Sequence, residues 1–178
     1  MSRITDLSTS VYESFAMLAG MQLDLFSLLA DDPQTVGELA SHLNVRSDKL
    51  AILCYALVAT ELLTVSDDRF SNTDESDRFL VRDKPEFLGD RHHIWSRIWP
   101  ATMQAAESIR TGKPQAHLDF SSISDDEQIE FFSGLHPASI SGGREFAAAC
   151  DLSQHRSMVD VGGGSGGFTL GLIEKWSH

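Results

Sequence analysis

The sequence predicts an α-rich chain in three parts. A winged helix-turn-helix is expected over residues 1–83, and a helical connector over 84–150. Residues 151–178 read as the first β-strand and helix of a truncated Rossmann-like α/β domain. Three observations carry this. Residues 35–72 run helix, turn, helix, hairpin. The middle third keeps helical periodicity, punctuated by glycine and proline. The stretch SMVDVGGGSGGFTL at 157–170 reads as a buried strand, a glycine loop and the start of a helix.

Composition narrows the possible functions. A length of 178 residues, 42% apolar and 22% charged, suits a globular protein able to bury a core. With 14 Lys and Arg against 26 Asp and Glu, the net charge of −12 repels nucleic-acid phosphates and anionic lipid, and no basic patch relieves it. No apolar run reaches the roughly 18 residues of a membrane span. The opening MSRITDLSTS lacks the apolar centre of a signal peptide. Cys54 and Cys150 lie far apart without metal-type spacing, and read as reduced thiols of a cytoplasmic protein.

Residues 11–30 repeat Phe15, Leu18, Leu25, Phe26 and Leu29 at helical spacing, with Gly20 marking a break or a close helix contact. So apolar a segment either buries surface against another chain or forms an ordinary core helix pair. Thr35 and Glu38 make a capping box for TVGELASHL, Asn44 a turn, and Ser47 or Asp48 the start of a longer helix. LLTVS, the turn Asp67-Asp68 and a return strand around Phe70 complete the wing. A DNA reader would need basic or amide side chains on the second helix. That helix continues Leu50, Ile52, Leu53, Leu57, Val58, Leu62, and residues 35–81 hold four cations against eight acids. The module is therefore expected to pack rather than to read DNA.

A short acidic helix is expected over 73–80, with a boundary at Lys84-Pro85. In the connector, Trp95 and Trp99 share one helical face, Pro100 should kink or restart the helix, and Gly112 with Pro114 should stop it. Adjacent His92 and His93 do not share a face, which argues against metal ligation. Ser124 and Glu127 form a second capping box. A separate helix over 137–150 should bend or break near Gly142-Gly143.

The glycine run admits three ligand frames. A P-loop needs Lys-Ser/Thr after its last glycine, whereas Phe168-Thr169 follows here. A dinucleotide fingerprint matches at Gly162, Gly164 and Gly167. The third frame is Asp160-x-Gly162-x-Gly164-x-Gly166, with a carboxylate at the mouth of the strand. Such a carboxylate repels pyrophosphate and favours a cationic ligand, such as the amino group and sulfonium of S-adenosylmethionine. Alternatively Asp160 merely bonds loop amides.

VDVGGGSG resembles the first cofactor motif of the class I S-adenosylmethionine-dependent O-methyltransferases of the caffeate and hydroxyindole type and their bacterial relatives. DLSQHRSM, FFSGLHPASISGGREFA, IRTGKP, QLDLFSLLA, TVGELASHLNV, ELLTV and FSNTD are similar to the same family, in order. The resemblance implies a winged helix used for homodimerisation, a connector lining part of the substrate pocket, and a Rossmann-like cofactor domain. It implies S-adenosylmethionine as cofactor, with Asp160 the acid of the motif. Gly162 would lie against the methionine part, and Gly163 and Gly164 would floor the loop.

The resemblance further implies that the chain is the N-terminal portion of a longer enzyme. The ribose-binding acid and the catalytic histidine base would lie beyond residue 178, so that no catalytic residue and no metal ligand is assigned here, and neither His155 nor His178 takes the role of base. The expected function is methyl transfer to a hydroxyl of a small aromatic or polyketide-like molecule, with the 178 residues by themselves inactive. Trp95, Trp99, Met103 and Phe131 are candidates for an aromatic acceptor pocket. A catalytically silent dimerisation partner of a full-length enzyme, or a winged-helix transcriptional regulator, are the alternatives.

Overall fold

The computed structural model describes residues 2–115, 121 and 123–177. The chain divides into two compact units, residues 1–92 and 93–178.

In the first unit, α1 (Arg3–Gln22) starts from the Ser2 side chain, which accepts from the Thr5 amide. It runs unbroken through Gly20. That glycine is a close contact rather than a break: a Cβ there would come within 2.9 Å of the Phe26 ring and 3.3 Å of Leu57. The chain turns instead at Asp24, in the left-handed region, into the single turn α2 (Leu25–Leu28). Leu25, Phe26 and Leu29 are buried there, beside Leu39, Leu50, Cys54, Leu57, Leu63 and Phe70.

A short strand β1 (Gln34–Thr35) leads into α3 (Val36–Leu43), whose Thr35/Glu38 capping box is complete. Asn44 ends α3 with φ of 53°, as its place in the turn required. The helix α4 (Ser47–Ala59) is followed by β2 (Leu63–Ser66) and β3 (Arg69–Asn72). Asp67 and Asp68 both carry positive φ, the twist a two-residue hairpin needs. The sheet is antiparallel, in the order β1-β3-β2, with Val65 opposite Phe70. In α5 (Asp74–Leu80), Thr73 caps, and the fully buried Ser76 donates to the Leu62 carbonyl at 2.6 Å.

From the boundary of the two units runs α6 (Arg91–Thr102). It continues two residues past Pro100, and the chain breaks at Met103-Gln104 before α7 (Ala105–Thr111). Gly112 stops α7 at φ of 65°. Trp95 and Trp99 stack with centroids 5.7 Å apart, the i, i+4 relation their spacing required.

Residues 125–149 depart from expectation. The two helices expected there are one, α8 (Asp125–Ala149), running through Pro137 and the Gly142-Gly143 pair. Proline forfeits one helical hydrogen bond at a cost of about 3 kcal/mol, and α9 (Gly167–Ile173) packs along the following turns. The glycines permit that packing. A Cβ on Gly143 would collide with the Phe168 carbonyl, one on Gly171 with the Ile140 carbonyl, and one on Gly167 would stand 2.9 Å from the His136 carbonyl. Arg144 grips Glu174 through two bonds of 2.7 and 2.8 Å, and Lys175 and Trp176 both donate to the Ala147 carbonyl.

A second correction concerns residues 158–161, expected as the first strand of a Rossmann-like sheet. They form no strand in this structure. A parallel strand exists only through a neighbour that answers its N–H and C=O groups, and the described residues offer none here. Val159 and Val161 are 86% and 91% exposed. No helix among the described residues is long and apolar enough to cross a membrane.

Candidate cofactor loop

The glycine loop is built on alternating backbone handedness. Gly162, Gly164 and Gly166 have φ of 77°, 54° and 72°, a region that excludes most side chains. A turn closed by the Gly166 amide donating to the Gly163 carbonyl at 2.8 Å sets the loop before α9. Around Gly162 no atom lies within 4 Å of where a Cβ would stand, so its backbone faces open space. Gly164 lies under the edge of Phe132, 3.4 Å from its missing Cβ.

Asp160 folds back over this loop. A Cβ on Gly163 would meet its carboxylate at 3.0 Å, and Thr169 Oγ1 donates to Asp160 Oδ2 at 2.6 Å. Its partner is therefore a hydroxyl on α9, and the carboxylate stays exposed beside bare backbone. The structure thus brings Asp160, Gly162, Gly163 and Gly164 together.

Sequence reasoning missed two anchors. His136 Nδ1 lies 3.0 Å from Ser165 Oγ, and the Gly167 amide donates to the same oxygen at 3.3 Å. A serine inside a glycine run was the available hint. Its partner lies 29 residues earlier, beyond the reach of any local pattern.

Two clefts flank α8. One, of about 810 Å³, lies among α6, α7 and α8, lined by Arg97, Ile98, Ala101, Ser108, Ile109 and Phe131. Of the four aromatic-pocket candidates, Phe131 lines it; Trp95 and Trp99 stack on each other, and Met103 is exposed. Arg97 donates to Glu127 at 2.9 Å. The backbone N–H of Ser124, then Arg97 and the Ser124 hydroxyl, hold that carboxyl below its usual range. The other cleft, about 530 Å³, is lined mainly by apolar side chains, among them Phe146, Phe168, Leu172 and Trp176, together with His155 and Arg156.

Among the described residues, no group of three or more His, Cys, Asp or Glu could hold a metal. His93 instead pairs with Glu130 at 3.4 Å. His155 borders the second cleft, and His178 lies outside the described residues. Cys54 is buried, which pushes its thiol up to about 11.

The chain is similar to known proteins along nearly its whole length. Residues 5–82 match the O-methyltransferase dimerisation domain. The chain is 31% identical to the tetracenomycin polyketide synthesis 8-O-methyl transferase of Streptomyces glaucescens, over 98% of this chain and 53% of that protein. It is also 31% identical to the 3-hydroxy-5-methyl-1-naphthoate 3-O-methyltransferase of Streptomyces sahachiroi, over 98% and 52%. The crystal structure of human N-acetylserotonin methyltransferase in complex with SAM superposes with a TM-score of 0.85 at 23% identity, over 98% of this chain and 55% of that one. The chain spans about half the length of the curated relatives it matches. Residues 5–82 thus match the O-methyltransferase dimerisation domain, and nearly the whole chain is similar to the N-terminal portion of bacterial and hydroxyindole-type O-methyltransferases.

Proposed function

We propose that these residues form the dimerisation and acceptor-side portion of an S-adenosylmethionine-dependent O-methyltransferase acting on a hydroxyl of a small aromatic or polyketide-like molecule. The observation that carries the reading is the glycine loop with an exposed carboxylate folded over it. Backbone stripped of Cβ atoms at Gly162 to Gly164 admits close approach of a ligand, and the Asp160 carboxylate favours a cationic one over pyrophosphate. The donor set therefore fits S-adenosylmethionine, which when bound supplies an activated methyl group. In this reading Gly162 would lie along the methionine part, Gly163 and Gly164 would floor the loop, and Asp160 would face the ligand's positive charge.

The other parts have matching roles. Residues 1–83 are read as a winged helix that pairs two copies of the chain. The exposed stripe Ile4, Leu7, Val11, Phe15 along α1, at helical spacing, supports this. Residues 84–150 are read as the connector, whose cleft beside Phe131 offers an apolar wall and the Arg97 guanidinium to an acceptor. Residues 151–178 are read as the opening of an α/β domain. The exposed Val159 and Val161 and the mainly apolar cleft beside them support that, being surfaces a sheet would cover. The general base is placed outside these 178 residues, so the chain by itself should not transfer methyl groups.

Titration of the labelled chain with S-adenosylmethionine, followed on backbone amide signals, tests the site. Shifts at Gly162 to Gly164 that weaken on Asp160→Asn support the reading. Shifts there with a nicotinamide dinucleotide and none with S-adenosylmethionine would overturn it.

A further inference from the structure

The loop is held from α8, and His136 is the residue that holds it. Three observations converge on His136. Its Nδ1 lies 3.0 Å from Ser165 Oγ. The same oxygen takes the Gly167 amide at 3.3 Å. The backbone of Gly167 itself sits against His136, since a Cβ there would stand 2.9 Å from the His136 carbonyl and 3.1 Å from Nδ1. Ser165 lies within the turn closed from Gly166 to Gly163. The loop's exit is thus clamped to α8 through one imidazole.

The proton arrangement follows from what each group can do. An amide N–H only donates, so Gly167 occupies one lone pair of the serine oxygen. The serine has one proton, and the arrangement that uses it directs it to the ring, with Nδ1 accepting. The ring hydrogen then sits on Nε2. We infer that His136, as the neutral Nε2–H tautomer, is a positioning residue that locks the turn at 163–166 through Ser165 and so holds the backbone of Gly162 to Gly164 in its ligand-ready shape. The role of that shape in cofactor binding rests on the function proposed above; the clamp itself does not.

The test uses the whole 178-residue chain, labelled with nitrogen-15. Ring nitrogen spectra of the wild type should show His136 with its hydrogen on Nε2; a hydrogen on Nδ1 would overturn the inference. Amide exchange at Gly166 and Gly167 should accelerate on the order of tenfold in His136→Leu and in Ser165→Ala, the loss of one hydrogen bond. His136→Asn, whose Oδ1 can accept from the same hydroxyl, should recover most of the protection. Unchanged exchange in both His136→Leu and Ser165→Ala, or no recovery with asparagine while the remaining amides keep wild-type protection, would equally overturn it. S-Adenosylmethionine titration on the same signals separates the two claims. Accelerated exchange together with a wild type that shows no shift supports the clamp and removes the cofactor reading.

Discussion

In residues 1–92 side chains fill the space between helices, whereas in residues 93–178 the closest approach, of α9 on α8, is made by backbone. Among the described residues, thirteen of the seventeen buried apolar residues belong to the first unit, and Ile94, Phe131, Ala147 and Leu172 to the second. Each unit has a glycine at a crowded helix contact, and the neighbours differ in kind. Gly20 faces the ring of Phe26 and a methyl of Leu57; Gly143 faces the carbonyl of Phe168 and the amide of Leu172. A side chain can turn aside, but a helix backbone moves only as a whole. The first unit is therefore stabilised by buried area, the second by the fit of two main chains, and the two should fail under different substitutions.

The largest effect is expected from Phe26→Ala. The ring is 1% exposed and fills the space beneath α1. Its removal should cost about 3–5 kcal/mol through lost transfer energy and the cavity left behind. Amide exchange across residues 2–92, read with urea unfolding by far-ultraviolet circular dichroism, would measure it. A loss below about 1 kcal/mol would mean that side-chain burial is not what holds this unit.

The second comparison sets two adjacent glycines of α8 against each other. Alanine at an unconstrained helix position stabilises by about 0.5–1 kcal/mol relative to glycine. Gly142 has only an ordinary contact, 3.9 Å to the Phe168 ring, so Gly142→Ala should gain roughly that amount. Gly143→Ala should instead lose about 1–3 kcal/mol, because overpacking against backbone outweighs propensity. Trp176, bonded to the Ala147 carbonyl at the end of the same contact, gives a fluorescence readout of whether α9 lifts. Equal effects at the two sites would deny that backbone approach decides the packing.

The two units also differed in how much of them was legible in the sequence. The Thr35/Glu38 and Ser124/Glu127 boxes, the Asn44 turn and the Asp67-Asp68 hairpin are local patterns, settled within four residues, and each stands where the sequence put it. Gly142-Gly143 read as a bend or a break because a sequence window sees the loss of helix propensity and not the second helix that needs the gap. Pro137 misled in the same way. Residues 158–161 have the composition of a buried strand, yet a strand is a relation between chain segments and does not exist without its neighbour. At the site, the sequence assembled Asp160 and the glycines because they are contiguous; His136 was invisible because the contact that makes it matter spans 29 residues.

The smallest effect sharpens the comparison through pH. Each unit has one capping box closed by a carboxylate. The Thr35 backbone N–H, its hydroxyl and Arg69 hold Glu38 below its ordinary value; the Ser124 backbone N–H, Arg97 and the Ser124 hydroxyl do so for Glu127. Folded values below unfolded ones mean that the stability from both boxes is complete above the ordinary carboxyl value of about 4.5 and is lost as pH falls through the lower folded values. The third box, Thr73/Ser76, is closed by a hydroxyl, but Asp74, Glu75 and Asp77 in the same turn make α5 acid-sensitive in their own right. Between pH 5 and pH 3, exchange at the first amides of α3 and α8 should therefore accelerate beyond its intrinsic pH dependence. Glu38→Gln should flatten the response in α3 and leave α8 unchanged. A response in α3 that survives Glu38→Gln undiminished would assign the acid sensitivity to general unfolding rather than to the cap.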